Sequence, residues 1–289
     1  MELTQTQDTA SGNPAAADNS PCRTCGDGSS GDAPPAYVYA LGRIEVRFPS
    51  LAVEKEFAQA IGRTSTAGQT DQQAFHAALS KRENLYLVRQ LCWVFSVQGI
   101  ETYLLRPRHS SDYERLVEAV RPQAGPGDID AVIGINAGMA SPSMCNGLMI
   151  PLVVFDQIYS FDRPALIKTV PKPAKMEASK FTAAAEEVFD RIRQLNDNAG
   201  ATDEHRALNY LAMRCPSVYS TAAEAFGREF ALTAVDVRPS LLSGIRRIVE
   251  VIFSYSNRNN DFTEKYFLRV DVAEEFPFLV TKMSPYYDR

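Results

Sequence analysis

The stretch 245-IRRIVEVIFSYSNRNNDFTEKYFLRVDV-272 decides the fold class. Apolar and polar residues alternate on either side of "NRNND", residues 257–261. That pattern predicts two antiparallel strands joined as a hairpin. Immediately upstream, "ALTAVDVRP" supplies another strand, and before it come three helices in a row. Phe181, Ala185, Val188, Ile192 and Leu195 recur at three- and four-residue steps, which draws one apolar stripe. Gly200 follows it, and Thr202 or Asp203 caps the next helix, whose buried face carries Leu208, Leu211, Ala212 and Cys215. A third helix runs from Ser217 to Gly227. Helices grouped ahead of paired strands predict an α+β fold with mixed or antiparallel sheets in two subdomains, not a doubly wound parallel sheet.

The first half is more mixed. "YVYALGRIEVRF" is dense enough in apolar and aromatic residues for a strand. Ser50 caps a helix over "LAVEKEFAQAIG", and Asp71 is expected to cap a second over "QQAFHAALSKRENLYL", burying Phe75, Leu79 and Tyr86. "LCWVFSVQGIETYLLRP" reads as two strands turning at Gln98 and Gly99. A short helix, "SDYERLVEAVRP", and two strands, "IDAVIGIN" and "GLMIPLVVFDQIYSF", complete this half. Pro171 and Pro173 mark the linker. The expected organisation is a flexible tail with a Cys-x-x-Cys pair over 1–35, an α+β subdomain over 36–172, and a C-terminal subdomain over 173–289. The tail is rich in Ala, Gly, Ser, Asp and Pro, so it buries too little surface to offset its ordering entropy.

Composition excludes several classes of function. A net charge of −5 lacks the basic footprint of a nucleic-acid binder. The longest apolar run, "GLMIPLVVF", is far short of the ~20 residues a bilayer needs. "MELTQTQDTASGN" lacks the basic start and apolar core of a secretory signal. The chain therefore reads as cytoplasmic with reduced thiols, and metal binding explains Cys22 and Cys25 better than a structural disulfide. Two further ligands are needed to close a tetrahedral zinc site, and Cys92 and Cys145 are the candidates. Cys215, on an apolar stripe, is a buried hydrophobe.

"YALGRIEVRFPSLAVEKEFAQA", "RQLCWV", "CNGLMIPLVVFDQIYSF", "NAGATDEHRALNYLA" and "EEFPFLVTKMSPYYDR" resemble the C-terminal domain of PatG and its relative in PatA, the cyanobactin (patellamide-type) maturation proteases. The resemblance spans residues 22 to 289 and implies a domain of unknown function from the biosynthesis of ribosomally made, post-translationally modified peptides. It also implies a cysteine at positions 92 and 145. No Asp, His and Ser triad region precedes the domain here, so either a free-standing accessory protein or a fragment of something longer is expected, and Met1 followed by the polar tail favours the first.

Of three histidines, His76 and His109 have no partner pattern. His205 sits among Asp203, Glu204 and Arg206, where a carboxylate–histidine pair would support acid–base work. Acids in a first turn also answer the helix dipole, the commoner reason for them. Arg43, Glu45 and Arg47 share one strand face, as a polar groove floor or as cross-strand ion pairs. "GPGDIDAVIGINAG" holds no phosphate-binding loop. The expected function is a non-catalytic recognition domain that binds a precursor peptide or a processing enzyme, by strand addition at an edge of the C-terminal sheet. One alternative is a peptide-modifying enzyme using His205 and nearby acids. The other is a structural or homodimerising module.

Overall fold

A computed structural model describes residues 36–62, 68–123, 125, 127–170, 172, 177–194, 198–242 and 244–287. Cys22, Cys25, the tail, Leu195, Pro171 and Pro173 lie outside the described residues. Residues 36–289 form one compact unit.

Five strands of the first half close into a barrel: β1 (Tyr37–Arg47), β2 (Cys92–Val97), β3 (Ile100–Pro107), β4 (Asp128–Met139) and β5 (Pro151–Asp162), in the order β1-β2-β3-β5-β4. Only the β3–β5 contact is parallel, so the sheet is mixed. β1 is buried on both faces over much of its length. Val38, Ala40 and Ile44 join Trp93, Phe95 and Phe155 in one core, whereas Tyr39 and Leu41 join the core shared with the second half. Period-two alternation thus serves two cores, which is why the strand reads as a nearly continuous apolar run. Gln98 and Gly99, both at positive φ, make the tight β2–β3 turn as expected.

Helices α1 (Leu51–Gly62), α2 (Asp71–Leu79), α3 (Leu85–Gln90) and α4 (Tyr113–Ala119) complete the first half. Two expectations change here. Thr70, not Asp71, caps α2: its hydroxyl accepts from the Gln73 N–H, and the Gln73 side chain accepts from the Thr70 N–H. The helix also stops at Leu79, before a 3-10 turn over Arg82–Asn84. The break rotates Tyr86 off the buried face; it is 45% exposed and donates to Glu56 instead.

The second half begins with α5 (Arg163–Thr169) and α6 (Ala178–Gln194), then α7 (Asp203–Arg214) and α8 (Pro216–Gly227). The sheet of β6 (Phe230–Pro239), β7 (Ile248–Asn257) and β8 (Thr263–Asp271) follows, with two-residue strands β9 (Phe278–Leu279) and β10 (Ser284–Pro285) on β8. The hairpin at 257–262 is antiparallel, as its alternation predicts. Phe181, Ala185, Val188 and Ile192 are buried in one core with Leu208, Leu211, Val251 and Phe253. Tyr39, Ile129 and Ile133 of the barrel lie in that same core, so residues on either side of the linker share it. Cys215 is buried there with a free thiol. Each fully buried aliphatic or aromatic side chain contributes about 1.5–3 kcal/mol.

Candidate functional site

β6 ends its sheet, because the order is β10-β8-β7-β6. The Ser240 N–H donates to the Ile248 carbonyl at 2.8 Å, and the register continues as Arg238↔Glu250, Asp236↔Ile252 and Ala234↔Ser254. Antiparallel bonding alternates, so these even-numbered residues turn their backbone groups to β7. Val235 and Val237 therefore turn theirs to the open side. At the start of the strand the edge is covered: Arg191 of α6 donates to the Leu232 carbonyl at 3.4 Å. The opposite edge is also covered, since β9 and β10 pair with β8. Among the described residues, the open ladder of this sheet is the Val235–Val237 stretch.

A cavity of about 400 Å³ lies beside that stretch, lined by Val235, Asp236 and Val237 and by Thr202, Glu204, His205 and Leu208 of the α7 start. Thr202 caps α7, its hydroxyl accepting from the His205 N–H at 3.2 Å. The cap holds His205 at the cavity wall, with its Nδ1 buried. Asp203 is turned away: its carboxylate pairs with Arg206 and with Arg247, each at 3.4 Å. Glu204 and Asp236 are the acids that share the cavity with His205. The groove thus combines an unpaired backbone edge, an apolar strip of Leu208, Val235 and Val237, and an acidic rim.

Arg206 fixes the frame behind this groove. It is almost fully buried and donates to the carbonyls of Val272, Glu274 and Glu275, holding the segment that follows β8. Burial lowers its pKa from the ordinary guanidinium value, and the Asp203 carboxylate opposes that shift.

The cysteine set is brought only partly together. Cys92 and Cys145 are joined in a disulfide, packed in a small apolar cluster with Val94, Leu104 and Ala140. A disulfide offers no thiolate, so in this state the pair does not fit a four-cysteine zinc centre. No group of three or more metal-ligating side chains occurs among the described residues. Of the strand face Arg43, Glu45 and Arg47, Arg47 ion-pairs with Glu101, which is the cross-strand arrangement. Arg43 and Glu45 instead border a second cavity at the barrel. His109 takes a local role, its main-chain N–H donating to the Asp112 carboxylate at 3.3 Å.

Residues 175–286, which hold this groove, match the family model of the PatG C-terminal region. The second half of the chain carries a PatG C-terminal domain. A solved structure described as "PatG Domain of Unknown Function" aligns with a TM-score of 0.72 and 20% identity, covering 87% of this chain and 99% of that one. At that identity the likeness establishes a common fold, which includes the barrel as well as the PatG C-terminal segment. No curated protein matches the chain. Among the described residues no helix is long and apolar enough to cross a membrane.

From the sequence, peptide capture is expected at an edge of this sheet, and His205 stands out among the histidines. The sequence does not show which edge is open, because that depends on β9 and β10, two-residue strands with no period of their own. Asp236 was also missed; it becomes a neighbour of His205 only when β6 is laid beside α7.

Proposed function

We propose that this PatG-type domain is a non-catalytic recognition module that captures an extended peptide by adding it as a strand to β6. The resemblance to PatG supports reading that role within the biosynthesis of ribosomally made, post-translationally modified, cyanobactin-like peptides, and the partner we propose is a precursor peptide or a processing enzyme. The observation that carries the reading is the open Val235–Val237 backbone beside a cavity of about 400 Å³. Main-chain hydrogen bonds supply affinity in strand addition, and side-chain pockets supply selectivity. Fluorescence anisotropy with a labelled cyanobactin-type precursor peptide tests it. The Val237→Pro variant removes an outward N–H while sparing the ladder to β7, a position where an edge strand accepts proline. Saturable binding by the parent, weakened about tenfold or more in the variant, supports strand addition at β6. Absence of binding at high micromolar concentration, or equal binding by the variant, overturns it.

A second reading follows from His205, Glu204 and Asp236 sharing that cavity. A histidine that shares a cavity with two carboxylates suits proton transfer on a bound peptide. In a reconstituted pathway, an unchanged product profile with His205→Ala removes this reading and leaves the recognition role intact.

A further inference from the structure

A second unpaired ladder lies in the barrel, where β1 and β4 part. The Asn136 N–H donates to the Ala36 carbonyl at 2.8 Å, and the register runs to Gly42↔Asp130 and ends there. Even-numbered residues of β1 therefore face β4, while Arg43, Glu45 and Arg47 bond to β2. Beyond Gly42, Ile44 and Val46 keep facing the seam after the β4 pairing has stopped. The Ile44 N–H is taken by the Asp130 carboxylate at 2.9 Å, a side chain doing what a strand would otherwise do. Among the described residues, the Ile44 carbonyl and both backbone groups of Val46 meet no partner strand on that side.

This seam opens into a cavity of about 460 Å³. Its floor is apolar, from Ile44, Val46, Phe75 and Val120. Its charged rim is engaged unevenly. Arg121 is committed to Asp128 at 3.3 Å and to Asp130 at 3.4 Å. Arg43 donates to the carbonyls of Asp128 and Gly125. The Glu45 carboxylate is exposed and has no hydrogen bond or ion pair to another described residue. Three carboxylates (Glu45, Asp128 and Asp130) thus face two guanidiniums that are already turned onto protein acceptors. What the seam leaves unfilled is chiefly acceptor: two carbonyls and one carboxylate against a single N–H.

We propose that this seam is a second peptide-binding site, which takes an extended segment carrying an ammonium or guanidinium group. The segment's backbone pairs with Ile44 and Val46, one apolar side chain covers Phe75 and Val120, and its cation meets Glu45. The site lies outside the PatG C-terminal match and does not rest on the β6 reading.

The test uses the full chain and fluorescein-labelled, acetylated pentapeptides of alternating valine and lysine, or of alternating valine and glutamate. The lysine peptide is expected to bind about tenfold tighter than its glutamate mate, from ion pairing at an exposed rim. Glu45→Lys should narrow that ratio to about threefold or less, by the same ion-pair term. All of these affinities are compared in the Val237→Pro background, which removes the contribution of the β6 edge and its acidic rim. Alternate N-methylation of the lysine peptide, which blocks strand pairing without touching the protein, should abolish binding. A valine–serine peptide with a free amino terminus separates a chain-end ammonium from a side-chain cation, and binding by either source supports the site. Equal affinity for the two charged peptides, indifference to N-methylation, no binding, or a ratio unchanged by Glu45→Lys would each overturn the proposal.

Discussion

The side-chain amide of Asn209, on α7, donates to the main-chain carbonyl of Tyr39, on β1, at 2.7 Å. The same nitrogen donates to Asn198 at 3.0 Å, and Asn198 returns a bond to the Asn209 oxygen at 2.8 Å. The Tyr39 N–H meanwhile donates to the Gly200 carbonyl at 2.9 Å. At Tyr39 the β2 strand is no longer alongside, so residues 198–209 satisfy backbone groups that a strand would otherwise bond. This junction ties the barrel to the helices of the PatG C-terminal segment.

Replacing Asn209 with Ala leaves the Tyr39 carbonyl and the Asn198 amide nitrogen without the partners Asn209 gave them, while the Asn198 oxygen keeps the Gly200 N–H. The expected loss is about 1–3 kcal/mol, read from the denaturant midpoint at unchanged m-value.

Gly200 is required for a different reason. Its φ is +74°, and a Cβ built there would fall 2.2 Å from the Tyr39 carbonyl oxygen. Gly200→Ala is expected to destabilise more than a single positive-φ penalty of about 1–2 kcal/mol, because backbone must also move. Thermal unfolding of the variant beside Gly244→Ala, which also has positive φ but has open space around it, separates the two effects.

Glu275 makes stability depend on pH. Burial, aided by its hydrogen bond with Asp156, raises its pKa from the ordinary 4.5 to about 7, while Arg108 pulls the other way. Arg108 bonds Asp156 at 2.7 Å and reaches Glu275 at 3.6 Å, so the cluster joins β5 to the segment after β8. Between those two pH values the folded chain holds a proton that the unfolded chain has released. Its contribution to stability is therefore present at the acid end of the window and is lost as pH rises through about 7. Glu275→Gln should flatten the fall in melting temperature between the two values; a parent and variant with parallel profiles would refute this.

The Cys92–Cys145 disulfide closes a loop across 53 positions. Reduction is expected to cost about 2–4 kcal/mol, and a Cys92→Ser/Cys145→Ser variant should be insensitive to reductant. Metal analysis of the reduced chain tests the zinc reading separately: about one zinc per chain, lost in Cys22→Ser/Cys25→Ser, would identify a closed structural site.

Much of this protein is legible from local pattern. The hairpin around residues 257–262, the α6 stripe from Phe181 to Ile192, the Thr202 cap and the Gln98–Gly99 turn all follow from residue periodicity and backbone preference, which act within a few neighbours. So does the α+β class, because grouping of elements is a property of order along the chain. Closure of the barrel is not of that kind. It depends on a parallel β3–β5 contact between strands almost fifty residues apart, and nothing in either strand names its partner. The same holds for what the edges expose. β6 is open because β9 and β10 choose β8, and the β1 seam is open because Asp130 bonds Ile44 where β4 has turned away. Hydrophobic alternation specifies which face of a strand is buried, and the sequence by itself determined that much. Which backbone edge is left for a ligand depends on every other strand's pairing, and only the tertiary structure decided it.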